Sequence, residues 1–506
     1  MSKMKKLLTV LLGITVLVSS YAKNSEEPVK NKKNGSFLVS NYENVLGTSM
    51  ELKVLTSSEQ KATIAETAAL AEITRLSKIL SGYDPSSEFS KWMQTNNQAI
   101  VVSKDLFQVL SLYDQWRNQT SGALNASAEA INQVWKAAAT NAVLPTPIAI
   151  QNAVTIANQQ HWALDAVNQT ATHLSKSALK FNSFTKSYII EAAANAAMKA
   201  AAVEGLILNI GGDIVIKGNI VEAVRISHPS ADAENDKPMA TIQVGAGAIA
   251  TSGNYRRGEM IAGQWYSHIV DPRNGQPANQ IISATVVAPN ATDAGALATA
   301  MNVLTPAESV ALAAGLPGVA YLILTRDGQK FESANWKELQ IATETPEHKD
   351  FANAEKEWKN EVVINLELMQ QAGFAKRPFA AIWVEDAEKK TVKTIALWFN
   401  KPRWVPDMRE WYRKNGETMK ANPTSFSSVT SATRSAGKYT MKWDGKDDAG
   451  NILPAGNYTI YMEVVREHGG YDLLHQEIEC KKKDQSFTLQ GVKEVSSVLI
   501  EYKKKS

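Results

Sequence analysis

Apolar and polar residues repeat with two different periods along this chain, and the change of period divides it. Between Glu59 and Leu80 apolar residues recur at helical spacing, with Ile64, Ala68, Leu70, Ile73 and Leu76 predicting one buried stripe. Residues 186–204 repeat that pattern and stop before Gly205. A short buried strand over 206–210 then runs into Gly211-Gly212, and 283–288 and 319–324 are further β-rich runs. Helical and strand patterns are thus interspersed over residues 37–345, which predicts a mixed α+β domain.

The polar stretch 343–349, with Pro346, marks a boundary, followed by a linker over 346–361. Beyond it short β-type segments recur at 362–366, 379–384, 392–399, 439–443, 458–465 and 497–502. Turn chemistry such as Asp447-Asp-Ala-Gly-Asn451 and Pro454-Ala-Gly-Asn457 separates them. Short strands with such punctuation predict an all-β, immunoglobulin-like sandwich over 362–506. No internal repeat joins the halves.

The first 22 residues read as a cleaved secretory signal: Lys3, Lys5 and Lys6, a 12-residue apolar run from Leu7 to Val18, then Ser20-Tyr-Ala22. Residues 23–36 are polar and read as a flexible tether. The full chain carries a formal charge of +3, and removal of the three signal lysines leaves a neutral protein. Such a chain has no bulk attraction for nucleic acid. Cys480 is the single cysteine, which rules out an intramolecular disulfide and a cysteine-based metal site. The expectation is an exported protein of the periplasm or cell envelope.

Several motifs can carry chemistry. Gly211-Gly-Asp213 follows a strand; paired glycines let a backbone approach a phosphate or flat ring, and they also make an ordinary tight turn. Ala248-Ile-Ala-Thr-Ser-Gly253 has small side chains and hydroxyls that suit a diphosphate or simply a close-packed sheet. His268 leads into the stiff turn Asp271-Pro-Arg-Asn-Gly275, and a histidine there can take a proton from a hydroxyl or serve a structural hydrogen bond.

The order of the blocks gives context. Gly47-Thr48, Tyr83-Asp-Pro-Ser-Ser-Glu88, Ser121-Gly-Ala-Leu-Asn125, Lys186-Ser-Tyr188, Gly211-Gly-Asp213, Ala250-Thr-Ser-Gly253, His268 to Gly275 and Ala296-Leu-Ala-Thr299 follow one another. This succession resembles the FAD:protein FMN transferase family, the ApbE-type flavin-trafficking proteins, over about residues 37–340. The resemblance implies FAD bound in a cleft as substrate, with Mg2+ at its diphosphate. FMN would pass through a phosphoester to a Thr or Ser hydroxyl of an exported acceptor. His268 matches the family's base. Tyr83, Ser87, Glu88, Lys186, Gly212, Asp213, Thr251, Ser252, Gly253 and Asp271 match cofactor-binding positions. Thr299 and the carbonyl of Ser183 match metal ligands. An acceptor in the membrane would bring the protein to the membrane periphery.

Four departures qualify the implied activity. The family's metal-binding aspartate falls on Gly295, in Gly295-Ala-Leu-Ala-Thr299. Asp293 stands two positions earlier and would replace it only if the helix began after it. The family's Lys-Gly pair is Lys186-Ser187, with Glu191 at a following aspartate, and Leu46 replaces a methionine before Gly47. Two alternatives follow: a catalytically reduced FAD-binding carrier, or a diphosphatase that releases FMN and AMP.

The second half has its own resemblance. Trp383-Val-Glu-Asp386, Thr394-Ile-Ala-Leu-Trp398, Ser431-Ala-Thr-Arg434, Trp443 to Gly450 and Gly456-Asn-Tyr458 match an uncharacterised domain of exported bacterial proteins over about 360–503. Within it Thr430-Ser-Ala-Thr433 resembles a flavin acceptor of the type Ser/Thr-Gly-Ala-Thr, which makes Thr433 a candidate acceptor in the protein's own C-terminal domain.

Overall fold

The computed structural model describes residues 36–255, 257–341, 358–371, 377–399, 402–422, 426, 429–431, 433–481 and 483–505. The expected signal peptide, nearly all of the tether and most of the linker lie outside them.

Eight antiparallel strands form the central sheet of the first half: β1 (Ser36–Val45), β2 (Thr48–Thr56), β3 (Gly205–Ile210), β4 (Asp213–Gly218), β5 (Gly247–Gly253), β6 (Ile281–Ala288), β7 (Ala320–Thr325) and β8 (Lys330–Glu332). They lie side by side in that order. The strand period of two decides which side chains face which layer. Leu206, Leu208 and Ile210 pair with Val54, Leu52 and Met50 and enter the main core. Ile207 points the other way, into a second core with Val224, Ile242 and Trp336.

Helices α1 (Glu59–Leu80), α2 (Thr185–Ala201) and α3 (Ala291–Val303) cover the main-core face. α1 begins where Ser58 accepts a hydrogen bond from the Lys61 amide. Its buried stripe is Ala65, Ala69, Ile73, Leu76 and Leu80, whereas Ile64 is exposed. Ile73 and Leu76 are buried as expected, while nearer the N-terminus the stripe falls on Ala65 and Ala69 in place of Ile64 and Ala68. α2 stops at Ala201, short of the expected 204, since Ala202 turns into the left-handed region at φ 46°. α3 is buried on nearly every side, and its run of Gly and Ala permits that.

In the second half two sheets share a core. One orders β13 (Gly437–Trp443), β9 (Asn360–Leu368), β17 (Val495–Lys504) and β16 (Gln485–Gln490). The other orders β12 (Thr430–Ser431), β11 (Thr391–Trp398), β10 (Phe379–Glu385), β14 (Gly456–Val465) and β15 (Tyr471–Cys480). Val362, Ile364, Ile382, Trp398, Trp443 and Ile460 lie between them. The expectation of an immunoglobulin-like sandwich is met at the coarser level of a mostly β region with two facing sheets. A parallel β11–β12 pair and an outer helix add features it did not include.

That helix, α4 (Arg409–Ala421), packs Trp411 onto the outer face. Glu463, fully buried, accepts from the Glu410 and Trp411 amides at 3.0 and 2.9 Å and from Tyr471 Oη at 2.8 Å. A strand carboxylate thus caps the helix N-terminus. The two halves also touch. Asn235 exchanges hydrogen bonds with the backbone of Lys442, and Glu234 pairs with Arg434, so a loop of the first half covers the edge strand β13.

Candidate functional site

Gly211 and Gly212 both take positive φ, 60° and 93°, in the turn from β3 to β4. A Cβ on Gly211 would lie 2.6 Å from Thr48 Cγ2, so two of the sequence blocks meet there. The turn delivers Asp213 to the first turn of α2. Its Oδ2 accepts from Ser187 Oγ at 3.0 Å and faces Lys186 Nζ at 3.2 Å. Burial pushes the Asp213 carboxyl above the usual carboxylate range, and the Lys186 ammonium opposes that shift.

The same turn of α2 crosses α3 at Gly295. A Cβ there would press into Ser187 Oγ and lie 2.9 Å from Ser187 Cβ. One helical turn further on, Thr299 Oγ1 donates to the Ser183 carbonyl at 3.1 Å, so the two expected metal ligands stand together. Asp293 does not join them. α3 begins at Ala291, before Asp293, whose carboxylate accepts from Asn290 Nδ2 at 2.7 Å and whose amide donates to Asn290 Oδ1 at 2.9 Å. Six helical residues separate it from Thr299, about 9 Å along the axis and roughly 120° around it.

Magnesium asks for near-octahedral oxygens, usually with one or two carboxylates. Here Ser183 and Thr299 offer two neutral oxygens, Asp213 is engaged by Lys186 and Ser187, and Asp293 is held by the cap residue Asn290. No cluster of three or more His, Cys, Asp or Glu suited to a metal occurs among the described residues. The residues present do not fit the carboxylate-bearing magnesium site that the resemblance implies.

His268 closes a hairpin, and its Nδ1 lies 2.9 Å from the Arg257 carbonyl. A carbonyl only accepts, so Nδ1 carries the proton and Nε2 keeps a lone pair. Surrounding protein, and then the Arg257 and Lys136 charges, hold the imidazole below its ordinary pKa despite its exposed edge. The following turn is stiff. Asp271 Oδ1 and Oδ2 accept from Arg273 Nε and Nη2, and Gly275 N returns to the Asp271 carbonyl at 2.7 Å. Trp135 Nε1 donates to the Gly275 carbonyl at 2.8 Å, and Arg273 Nη1 reaches Glu308 at 2.8 Å. That contact and the Thr305 amide hold Glu308 down to about 2.

A cavity of about 960 Å³ opens beside this turn, lined among others by Tyr266, Ser267, Asp271, Arg273, Asn302 and Glu308. Of the expected site residues only Asp271 lies on its wall; Lys186, Asp213, Ser183 and Thr299 belong to the helix crossing instead. Asn302 links the two groups, and sequence reasoning missed it. It is 1% exposed, donates to the Ser252 carbonyl at 2.9 Å, and keeps a buried Oδ1 without a partner among the described residues. Its signal was spacing: Gly295, Thr299 and Asn302 form one stripe of α3.

The remaining candidates divide. Thr251 Oγ1 lies 2.9 Å from Thr285 Oγ1, and a Cβ on Gly253 would strike the Tyr255 ring. Tyr83 is 77% exposed and reaches Asn182 Oδ1 at 3.4 Å, next to Ser183. Ser87 caps a short helix through the Ser90 amide and donates to the Ser81 carbonyl, while Glu88 accepts from the Ser103 amide at 2.6 Å. Those two are engaged by neighbouring protein groups, Ser87 within its own loop and Glu88 at the start of the next helix. Thr433 is only 4% exposed, beside the β11–β12 pair. A hydroxyl so buried does not reach another molecule's cleft in this conformation, which counts against Thr433 as an acceptor.

Comparison with known proteins agrees with the blocks. Residues 46–323 match the ApbE family, and residues 359–497 match a family described as a predicted periplasmic protein, DUF2271. A FAD:protein FMN transferase of Vibrio cholerae is 27% identical over 307 residues, covering 58% of this chain and 90% of the relative. One of Treponema pallidum is 27% identical over 315 residues, covering 58% and 86%. Among solved structures, the ApbE protein of Thermotoga maritima aligns with a TM-score of 0.53 at 24% identity, over 61% of this chain and 100% of that one. The flavin transferase ApbE of Vibrio cholerae aligns at 0.51 with 21% identity, over 60% and 100%. The structural likeness is one of fold.

Proposed function

We propose that this chain, which belongs to the ApbE family, is a FAD:protein FMN transferase that moves FMN from FAD to a threonine or serine hydroxyl of an exported protein. The observation that carries the reading is the state of His268. Its Nδ1–H is tied to the Arg257 carbonyl and its pKa is depressed, so Nε2 is a free base at neutral pH. In the transfer, the acceptor oxygen bonds to the phosphorus on the FMN side of the diphosphate. The bond from that phosphorus to the bridging oxygen breaks, AMP leaves, and Nε2 takes the hydroxyl proton. Positioning and charge neutralisation dominate such chemistry. Asp271, fixed by Arg273, holds the turn that aims the histidine, and Gly212 and Gly253 give close backbone approach. The match to a predicted periplasmic family and the basic and apolar start of the sequence support an exported location. No helix among the described residues is long and apolar enough to cross a membrane.

The test is incubation of the protein (residues 23–506) with FAD and a peptide bearing Ser-Gly-Ala-Thr. The reading expects AMP release matched by a mass gain of one FMN on the peptide. Bound FAD with neither product supports the second reading, an FAD carrier of reduced catalysis, which Gly295 favours. Free FMN and AMP without an adduct supports hydrolysis.

A further inference from the structure

The contact between Ser187 and Gly295 joins two departures that lie far apart in the sequence. α2 carries a hydroxymethyl where the resemblance implies only a hydrogen, and α3 carries a hydrogen where it implies a carboxylate. The space has changed owner across the helix crossing. A Cβ at 295 would meet not only Ser187 Oγ, which can rotate, but Ser187 Cβ at 2.9 Å and Phe184 Cα at 3.6 Å. A side chain at 295 therefore forces a shift at the helix crossing while Ser187 is present.

Ser187 does more than fill that space. Its hydroxyl donates at 3.0 Å to Oδ2 of buried Asp213, and Lys186 Nζ approaches the same oxygen at 3.2 Å. Lys186 is the outermost of the three, with its side chain 37% exposed against 11% for Asp213. One of its three N–H donors faces Asp213, and the others are directed by that anchor. The ammonium also sits in the first turn of the 17-residue α2, where the helix dipole is positive. Thr299 and the Ser183 carbonyl lie one turn along α3 from Gly295.

We infer that Ser187, Asp213 and Gly295 form a positioning unit for Lys186, whose ammonium supplies charge neutralisation at the FAD diphosphate that a carboxylate-bound cation would otherwise supply. The inference rests on the reading of the site as one for FAD. It makes Lys186 a binding residue and Ser187 and Asp213 positioning residues, with Gly295 the room that Ser187 requires.

Two measurements on the 23–506 protein test it. The first is FAD affinity by flavin fluorescence, in EDTA and with added magnesium, for the wild type and Lys186→Gln. Wild type binds FAD in EDTA, magnesium tightens binding by less than about threefold, and Lys186→Gln weakens binding in EDTA by about tenfold or more. The second is uptake of Mn2+, read by electron paramagnetic resonance in the presence of FAD. Wild type shows no saturable submillimolar site, and the double substitution Ser187→Gly with Gly295→Asp creates one. A wild type that takes up one Mn2+ at submillimolar concentration overturns the inference. So does a Lys186→Gln protein that binds FAD in EDTA as well as wild type. Both outcomes are read without the double variant, should it fail to fold. Absence of FAD binding under every condition overturns the functional reading itself, a result distinct from either.

Discussion

Asn302 on α3 donates its amide to the carbonyl of Ser252, on strand β5, across 2.9 Å. The bond ties the stripe of α3 that carries Gly295 and Thr299 to the Ala-Thr-Ser-Gly block, and it places a buried carboxamide on the cavity wall. Replacement by leucine leaves the Ser252 carbonyl without this donor. Asn302→Leu is expected to lose about 1–3 kcal/mol of stability and to weaken FAD binding, as read by thermal melting and fluorescence titration.

His268 acts in the proposed transfer only while its Nε2 is unprotonated. His268→Ala is expected to lower transfer by about 10²–10⁴-fold with FAD affinity little changed. Because burial and the Arg257 and Lys136 charges depress its pKa, the base stays neutral further into acid, and activity falls only as pH drops through that lowered value. The acidic limb of kcat/KM against pH should lie below the ordinary histidine range. Lys136→Met should move the limb upward, since it removes one of the charges that hold the pKa down.

A Cβ at Gly295 would lie 2.9 Å from Ser187 Cβ, so one of the two helices must shift to admit it. Gly295→Ala is expected to destabilise the protein by about 1–3 kcal/mol through overpacking. Ser187→Gly in the same chain should restore much of the loss, a non-additivity that a double-mutant cycle of melting temperatures measures.

Thr433 is buried, so the folded protein should not flavinylate itself there. Intact mass after incubation with FAD is expected to be the same for wild type and Thr433→Ala. An FMN adduct that disappears in the variant would show that the loop opens.

Glu463 holds the N-terminus of α4 against the outer face of the second β sheet. Glu463→Ala removes the acceptor for two amides and the Tyr471 hydroxyl, and should cost about 2–3 kcal/mol. The loss should appear in the unfolding of the C-terminal half, with FAD binding unaffected.

Much of the local architecture was legible. α1 spans the residues its periodicity marks, and the six expected β segments of the second half all fall on strands, 392–399 overrunning its strand by one residue, because buried alternation and turn residues leave few other options. α4 was not legible: Arg409–Ala421 is strongly polar, and its packed face of Trp411, Tyr412, Asn415 and Met419 carries few apolar residues. β15 and β16 were missed for a similar reason, since many of their side chains stay in water.

The sequence by itself determined the succession of blocks, and with it the family, because residue identity and order need no coordinates. It also determined that Asp had left position 295. Only the tertiary structure decided what that means. Ser187 and Gly295 are neighbours because α2 crosses α3 there, and Asp293 is excluded from Thr299 because α3 begins before it. Thr433 stands in an acceptor-like motif, and its burial, at 4% exposure, comes only from the fold. Volume and burial are properties of pairs of elements, so no single stretch of chain contains them.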